Sequence, residues 1–359
     1  MKPLELSHQY EVVPVYIAKD GRWYSDPKLK EISLFTSGKI DVLCQKLKPV
    51  QVLFDKGLVL VKPGLKSRPI RIDIAFPALH GTHGEDGEVM SLFELAGIPY
   101  VGCGVAASAV AMDKVLAKQV AIANGLPTPK SVYFTKYEYE HNPDEWLAKI
   151  RKELHYPLFV KPAHLGSSIG ITRITDAKDL ASAIEVAVHY DDRALVEEAV
   201  DNLVEVTLPI MGNDEPRPAL LEQPMVKPED FFDFETKYMQ GGKKGGQKGG
   251  AKGAQGYSKI PADIPRDLYA KAQDLGLAVY QAVGCSGLAR IDMLIDAKTK
   301  KVYFNEINPL PGDLYAHNWA HVGLSRVDLV TTLVDFALER HKARSALETS
   351  FATSYLRQF

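Results

Sequence analysis

The stretch GLARIDMLIDAKTKKVYFNEIN, residues 287–308, carries the most specific strand pattern of this 359-residue chain. In its first half Arg290 and Asp292 alternate with apolar residues, and in its second half Glu306 and Asn308 do the same. Alternation with a period of two is typical of β-strands, whose successive side chains point to opposite faces. The polar run DAKTKK between the halves predicts a turn, so the strands should form a hairpin with Asp292 almost directly opposite Glu306.

Two carboxylates that face each other across a hairpin repel unless a cation or a proton lies between them. Asp292, Glu306 and the amide of Asn308 offer the oxygen ligands that magnesium prefers, with water and phosphate oxygens completing its shell at nucleotide sites. Arg290 lies on the same face and would stabilise charge that develops on a reacting oxygen. The alternatives are a solvated hairpin face for the carboxylates and a plain ion pair with Asp292 for the arginine.

Strand-like and helix-like segments alternate along the rest of the chain, which predicts a mixed α/β and α+β protein. Runs rich in β-branched residues predict strands at YEVVPVYIA, VQVLF, LVLV, RIDIAFPAL, SVYFT, YPLFVKP, IGITRI, ALVEEAV and VEVTLPIMG. Helical periodicity predicts helices from about Glu85, from about Ser108 to Ala123, near 176–188, over 265–283 and over 326–344.

Composition argues against several classes of protein. A net charge of -2 and a pI near 6.6 give no broad attraction to nucleic acid or anionic membranes. Cys44, Cys103 and Cys285 are scattered without metal-ligand spacing, which favours a reducing compartment. The first residues lack the pattern of a signal peptide, and no run of about 20 apolar residues predicts a membrane span. We therefore expect a soluble, cytoplasmic protein without nucleic-acid or membrane partners.

The segment KPAHLGSSIG, Lys161–Gly170, follows a predicted strand. Backbone N–H groups of such a loop can converge on phosphate oxygens, and Lys161 can neutralise their charge. The segment matches neither the P-loop nor the dinucleotide fingerprint, so a simple turn is the alternative.

A second loop, residues 241–256, consists almost wholly of Gly, Lys, Gln and Ala and has nothing to bury. It is therefore expected to be either an inert linker or a lid whose lysines screen phosphates.

Seven motifs, in matching order, resemble those of the D-alanine–D-alanine ligase family, and the resemblance extends from about Tyr10 to about His341. It implies a three-domain ATP-grasp fold with a truncated Rossmann-like N-terminal domain and with ATP between two antiparallel sheets. The implied domains are 1–105, 106–212 and 213–345, with a lid loop over 232–260 and a tail over 346–359. The motifs are HGTHGEDG (80–87), ELAGIPYVGCG (94–104), AMDKVLAK (111–118), FVKPAHLGSSIG (159–170), FFDFETKY (231–238), GLARIDM (287–293) and NEINPLPG (305–312).

The resemblance also implies a role for each matching residue. ATP would bind Lys114, Lys161, Ser168, Lys237, the hinge residue Glu197 or Glu198, and Glu205 at the ribose. Magnesium, or manganese in its place, would bind Asp292, Glu306 and Asn308. Arg290, Ser167, Tyr238 and the backbone of Gly312 would act on the reacting groups, and His80, His317 and Asn318 would contact the amino-acid substrates.

The implied reaction activates a carboxylate as an acyl phosphate and captures it with an amine. A closing lid would exclude water, because the acyl phosphate hydrolyses when wet. By default the product is D-alanyl-D-alanine for peptidoglycan, cell-wall biogenesis and cell shape. The alternatives are a ligase for another amino-acid pair or a secondary metabolite, and a non-catalytic nucleotide-binding homologue. The family commonly forms dimers, so a homodimer that covers a sheet edge is one expectation.

Two departures from the family pattern concern the substrates. The usual first strand and acidic motif have no counterpart before Tyr10, which leaves the ammonium of the first amino acid without its glutamate. After Gly312 the chain reads DLYAHNW, where His317 and Asn318 replace a Ser-Leu pair and Asp313 could repel a carboxylate acceptor.

The histidines of HGTHGEDG could also suggest a metal or hydrolase site. Their spacing matches no zinc motif, and there is no nucleophile elbow.

Overall fold

The computed structural model describes residues 1–64, 67–166, 168–225 and 258–348. Three predicted site residues, Ser167, Lys237 and Tyr238, lie outside these stretches. Most of the predicted lid loop and residues 349–359 of the predicted tail also lie outside them.

The chain divides into two compact units. The first combines Met1–Pro77, Met90–Gly102 and the segment from Leu324 onward, and the second combines Ala78–Val89 with Cys103–Gly323. The division into three domains at residues 105 and 212 stays a prediction.

No helix of the described residues has both the length and the apolar composition that a membrane span requires. These helices are α1 (Lys2–Leu6), α2 (Ile32–Thr36), α3 (Ile40–Lys46), α4 (Glu88–Ala96), α5 (Val105–Met112), α6 (Lys114–Ala123), α7 (Lys136–His141), α8 (Pro143–Glu153), α9 (Leu180–Tyr190), α10 (Arg266–Val283), α11 (Ala316–His321) and α12 (Arg326–Ser345).

The first unit contains a hairpin and a three-stranded antiparallel sheet. Rossmann-like domains are built on parallel strands. Among the described residues of this unit, strands pair in parallel only at a single bridge between Ala75 and Tyr100. The hairpin pairs β1 (Tyr16–Ile17) with β2 (Trp23–Tyr24), and the sheet has the order β3 (Gln51–Phe54), β4 (Leu58–Val61) and β5 (Ile70–Ile72).

Several segment predictions for this unit need correction. VQVLF and LVLV form strands as predicted. YEVVPVYIA pairs only at Tyr16–Ile17, since Pro14 has no N–H group to donate to a strand. RIDIAFPAL contributes only to Ile70–Ile72 and to the bridge at Ala75.

The second unit contains two four-stranded antiparallel sheets. We call them the first sheet and the second sheet. The first sheet has the order β6 (Ser131–Thr135), β9 (Arg193–Glu198), β7 (Leu158–Pro162) and β8 (Thr172–Ile174). The second sheet has the order β11 (Arg217–Pro218), β10 (Leu203–Gly212), β14 (Gly287–Asp296) and β15 (Lys301–Asn308), and a separate pair joins β12 (Gln223–Pro224) to β13 (Ser258–Lys259).

The helix predicted from Ser108 to Ala123 is wrong, because the segment forms two helices, α5 and α6. Asp113 lies between them with extended backbone (φ -104°, ψ 104°), and its carboxylate accepts hydrogen bonds from the N–H groups of Val115 and Leu116. An aspartate in this position satisfies the free N–H groups of a helix start. A new helix therefore begins at Lys114.

The remaining helix predictions are largely confirmed. Helices α9, α10 and α12 lie where periodicity predicts them, and α4 begins at Glu88 rather than Glu85. Helices α7 and α8 were not predicted, although Thr135 with Glu138 forms a capping box at the start of α7.

The second sheet has one apolar and one polar face. Ile291, Met293 and Ile295 of β14 lie in a buried cluster with side chains of β10 and α10. Asp292 lies opposite Glu306 of β15 and Thr207 of β10. Opposed residues share a face, so these polar groups lie together on the other side. The predicted hairpin register is confirmed, and β10, which the sequence groups with the preceding strands, pairs along its length with β14.

Candidate active site

The polar face of the second sheet carries the three residues predicted to bind a metal. Asp292 lies opposite Glu306, and Asn308 lies opposite Arg290. The register shifts after Asp292, so that Met293 pairs with Phe304 and the residue between Phe304 and Glu306 has no direct opposite. That residue is Asn305, and the bulge turns its side chain toward Lys161.

Arg290 and Asp292 form a two-point ion pair. Arg290 Nε donates to Asp292 Oδ1 over 2.7 Å, and the second bond joins its Nη2 to Oδ2 over 2.5 Å. The plain ion pair considered from the sequence is therefore present. Burial raises the pKa of Asp292 although Arg290 opposes this, and Asp292 raises the pKa of Arg290 against the effect of burial. Each carboxylate oxygen keeps lone pairs for a further ligand.

Lys161 of β7 and Lys114 of α6 lie close to this polar face of the second sheet. Lys161 Nζ binds Glu197 Oε1 and lies 3.5 Å from Asn305 Oδ1. Lys114 Nζ donates to the carbonyl oxygen of Leu165 over 2.6 Å and lies 3.9 Å from Glu306 Oε2. The predicted phosphate lysines therefore lie beside the predicted metal ligands.

Lys118 is not among the predicted site residues, but it lies in one charged cluster with Lys114, Lys161, Glu197 and Glu306. Its side chain is 3% exposed, and its Nζ lies 2.9 Å from Glu197 Oε2. The signal was present in AMDKVLAK, since residues four apart lie on one helix face. Burial lowers the pKa of Lys118 and of Lys114.

The lysines determine the charge of both carboxylates in this cluster. Burial alone would raise the pKa of Glu197, but Lys118 and Lys161 lower it to about 2. Burial opposes Lys114 and Lys161 in the same way at Glu306, whose pKa is also lowered. Three lysines thus face two ionised carboxylates, and the excess positive charge favours an anion such as a phosphate.

The donor atoms of Asp292, Glu306 and Asn308 fit magnesium. Two carboxylates and one amide oxygen are hard ligands, and magnesium usually takes one or two carboxylates together with phosphate and water. Asn308 Oδ1 accepts a hydrogen bond from the N–H of Leu310 over 3.1 Å, which orients its carbonyl oxygen.

The two candidates for the hinge glutamate lie in different surroundings. Glu197 binds the lysines, whereas Glu198 Oε1 lies 2.9 Å from both the backbone N and Nδ1 of His155. Glu205 lies opposite Leu294 and shares the polar face of the second sheet with Asp292. The structure thus brings Glu197, and not Glu198, to the lysine cluster.

The loop after Lys161 has left-handed backbone at two residues. Ser168 has a φ of 61° and Gly170 a φ of 70°. A Cβ atom at Gly170 would lie 2.8 Å from Pro162 and 3.0 Å from Tyr190, so only glycine fits.

The segment that follows Gly312 is strained. Asp313, Leu314 and Tyr315 have φ values of 50°, 54° and 54°, in the left-handed region that non-glycine residues seldom adopt. The turn places the Tyr315 ring 5.3 Å from the Arg290 guanidinium and its hydroxyl 3.4 Å from Thr207 Oγ1. Strain of this kind clusters at functional sites.

His317 and Asn318 have different environments. His317 Nε2 lies 2.8 Å from Glu222 Oε2, and its ring centre is 4.8 Å from that of Tyr315. Asn318 is fully buried and bonds the backbone of Leu220 through both its oxygen (3.1 Å) and its nitrogen (2.9 Å). Its amide thus holds two chain segments together, and Glu222 is a buried charge that no sequence pattern indicated.

His80 lies in the HGTHGEDG loop. Its Nδ1 is 3.6 Å from Glu85 Oε1, and this neighbour raises its pKa. Among the described residues, no hydrogen bond or ion pair links His80 to the lysine and carboxylate cluster. His83 and Asp86 of the same loop, with Glu88 at the start of α4, offer three possible ligand atoms within 4.8 Å of one another, and all three residues are partly or fully exposed.

Two family models match the chain. The model described as D-ala D-ala ligase N-terminus matches residues 2–103, and that described as D-ala D-ala ligase C-terminus matches residues 120–335. The N-terminal match thus begins before Tyr10, where the sequence resemblance was expected to start.

Curated relatives that cover most of the chain share about a third of its residues. A D-alanine–D-alanine ligase from Caldicellulosiruptor bescii is 35% identical over 355 residues, which cover 95% of this chain and 90% of that protein. The D-alanine–D-alanine ligase from Acetivibrio thermocellus is also 35% identical and covers 93% of this chain and 88% of its own length.

Solved structures of ligases are also similar to this chain over most of its length. The VanG D-Ala:D-Ser ligase from Enterococcus faecalis superposes with a TM-score of 0.74 at 29% identity, covering 94% of this chain and 93% of its own. The D-alanine–D-alanine ligase from Coxiella burnetii gives a TM-score of 0.72 at 26% identity, covering 92% of this chain and 86% of its own.

Proposed function

Because the chain belongs to the D-alanine–D-alanine ligase family, we propose that it is an ATP-dependent ligase that joins two D-alanines to D-alanyl-D-alanine in the cytoplasm. Its product would serve peptidoglycan synthesis, and thereby cell-wall biogenesis and cell shape. One observation carries the proposal: Lys114 lies beside Glu306, and Lys161 lies beside Asn305, both on strand β15 of the hairpin. This arrangement unites phosphate-binding cations with metal-binding carboxylates.

The proposed chemistry has two steps. In the first, an oxygen of the donor carboxylate forms a bond to the γ-phosphorus of ATP, the bond from that phosphorus to the bridging oxygen breaks, and ADP leaves. The ammonium groups of Lys114 and Lys161 stabilise the charge on the phosphate oxygens. In the second, the amine nitrogen attacks the acyl carbon, inorganic phosphate leaves with the electron pair of the C–O bond, and the amine loses a proton.

Arg290 is the group that would stabilise the tetrahedral oxyanion of the second step. Its two bonds to Asp292 and the ring of Tyr315 hold the guanidinium in one orientation. A donor that is oriented beforehand needs no reorganisation when charge develops. Gly312, Ser167 and Tyr238 are proposed to act with it on the reacting groups.

Asp292, Glu306 and Asn308 would hold magnesium, or manganese in its place. A bound ion would neutralise phosphate charge and orient the transferring group. The adenosine and phosphates of ATP are proposed to contact Ser168, Glu197, Glu205 and Lys237, and His80 the amino-acid substrate. A homodimer is proposed as the assembly.

A second candidate is a ligase that takes a different acceptor amino acid. It is favoured by the segment after Gly312, where His317 and buried Glu222 form a polar pair beside Tyr315. A D-Ala:D-Ser ligase is among the similar solved structures, so D-serine is the first alternative to examine.

The test is phosphate release from ATP and magnesium with D- and L-amino acids, offered singly and in pairs, with products identified by mass. Turnover with D-alanine alone would support the first candidate. Turnover only with a mixed pair would support the second. Hydrolysis and ligation both absent, with ATP bound, would refute both and leave a nucleotide-binding homologue.

A further inference from the structure

His164, in the loop that follows Lys161, bridges two carboxylates. Its Nδ1 lies 2.9 Å from Asp191 Oδ1, and its Nε2 lies 3.3 Å from Asp113 Oδ2. The two aspartate side chains are only 5% and 6% exposed, whereas that of His164 is 44% exposed. The backbone N–H of His164 also donates to Asp191 Oδ2 over 2.7 Å. The start of the loop is thus held by both its ring and its backbone.

Two buried carboxylates flank the His164 ring and favour its cationic form. Arg193 Nη1 lies 2.7 Å from Asp113 Oδ2, so two cations face two buried carboxylates. Asp192, at the exposed edge of the cluster, adds further negative charge near the ring. Hydrogen bonds to Asp113 and Asp191 raise the pKa of His164 to about 10. Uncompensated buried carboxylates would be costly.

Asp113 also determines where Lys114 lies. Asp113 caps α6, and Lys114 is the first residue of that helix. The backbone N–H of Lys114 donates to the carbonyl oxygen of Ala163 over 3.0 Å, and its Nζ donates to that of Leu165 over 2.6 Å. His164 is therefore flanked by the two residues whose carbonyl groups hold Lys114. A shift of the ring would move the lysine and the loop together.

We propose that His164 is a positioning residue for nucleotide binding, whose ring ties the loop to Asp113 and Asp191 and so holds Lys114 where the phosphates of ATP bind. The proposal rests on the proposed function, since it assumes that this loop and Lys114 receive ATP. It explains why a half-exposed histidine has two buried acidic partners. His164 itself touches neither substrate nor reacting atoms.

The test compares His164→Asn with His164→Arg at pH 7.5. Asparagine removes the charge, whereas arginine keeps it and offers several donors to both aspartates. We expect His164→Asn to raise the Kd for ADP, measured by calorimetry, and the KM for ATP by about 10- to 100-fold, as expected for a misplaced binding group. The KM for D-alanine should change little, and His164→Arg should restore most of the nucleotide affinity. His141→Asn, an exposed histidine at the end of α7, is the matched control and should behave as wild type.

Two further measurements keep the proposal testable if His164→Asn folds poorly. Nitrogen-15 NMR of the wild-type imidazole at pH 8.5 should show both ring nitrogens protonated, and a neutral ring would overturn the proposal. Nucleotide affinity of the wild type should fall as the pH rises toward 10, while that of His164→Arg falls less, because the titrating lysines are common to both proteins.

Failure of the proposed function and failure of the positioning role of His164 would give different results. A wild-type chain that does not bind ATP would overturn the proposed function and this inference together. Normal binding by the wild type, with His164→Asn equally tight or with His164→Arg as weak as His164→Asn, would overturn only the positioning role.

Discussion

The ammonium group of Lys118 lies 2.9 Å from one carboxylate oxygen of Glu197, and the other oxygen of Glu197 binds Lys161. All three side chains are largely buried. A buried carboxylate is stable only when paired and hydrogen-bonded. This trio therefore connects α6, β7 and β9 and holds Lys161 next to the hairpin of the second sheet.

Replacement of Glu197 should destabilise the fold. Glu197→Gln leaves two buried ammonium groups facing a neutral amide, and we expect a loss of roughly 3–5 kcal/mol in the free energy of unfolding, measured with urea at pH 7. Glu198→Gln is the matched control: its side chain is 26% exposed and pairs with an exposed histidine, so it should cost less than about 1 kcal/mol.

The effect of Glu197 should depend on pH with a defined sign. Its pKa is lowered from 4.5 to about 2 in the folded chain, so its ionisation contributes stability above pH 4.5 that is lost as the pH falls toward 2. The difference in the free energy of unfolding between wild type and Glu197→Gln should accordingly narrow below pH 4.5. A gap that widens on acidification would contradict the ion-pair account.

Glu306 should be required for metal-dependent turnover. Glu306→Gln removes the charge that faces Asp292 across the hairpin. We expect kcat to fall about 100-fold or more and the magnesium concentration for half-maximal activity to rise about tenfold or more. Glu145→Gln, on the exposed surface of α8, should leave both unchanged. An unaltered magnesium dependence in Glu306→Gln would argue against a metal at this pair.

Arg290 should act through its planar guanidinium rather than its charge alone. Arg290→Lys keeps the charge but cannot make both bonds to Asp292. We expect kcat to fall about 10²- to 10³-fold, as for loss of an oxyanion-stabilising donor, with a much smaller change in ATP affinity. Arg173→Lys, an exposed position of β8, is the control. Wild-type kcat in Arg290→Lys would assign Arg290 a purely structural role.

The pair Glu222–His317 should affect the acceptor and not the nucleotide. Glu222→Gln weakens a charge-assisted hydrogen bond of 2.8 Å, which is worth about 1.5–3 kcal/mol. We expect the KM for the acceptor amino acid to change about tenfold, or the preferred acceptor to change, at constant KM for ATP. Glu215→Gln in the exposed loop before β11 is the control. A change in the ATP KM alone would place this pair at the nucleotide.

Most of the hairpin and much of the cluster could be predicted from local patterns. Alternation puts Arg290 with Asp292, and Glu306 with Asn308, on one face of each strand. The pairing of Asp292 with Glu306 also depends on the bulge at Asn305, because the register next to the turn would by itself place Asp292 opposite Asn305. The lysine spacing in AMDKVLAK contained the position of Lys118 as well, but its burial depends on what packs against α6.

Local sequence failed where one side chain changes the backbone. Periodicity predicted one helix through Asp113, because its carboxylate is polar like any helix surface residue. The carboxylate instead caps a new helix. The strained turn at Asp313–Tyr315 likewise contains no glycine, the residue type that would have indicated a left-handed backbone there.

The strand and helix periods, the polar face of the hairpin and the family can be read from the amino-acid order, because each depends on residues near one another or on motifs in order. By contrast, tertiary packing is what brings Lys118 and Lys161 to the same Glu197 and places His164 between Asp113 and Asp191. His164 and Asp191 are 27 positions apart, and Lys161 and Glu197 are 36 apart. Such contacts exist only once sheets and helices have packed, because burial is what makes the pairing of these charges necessary.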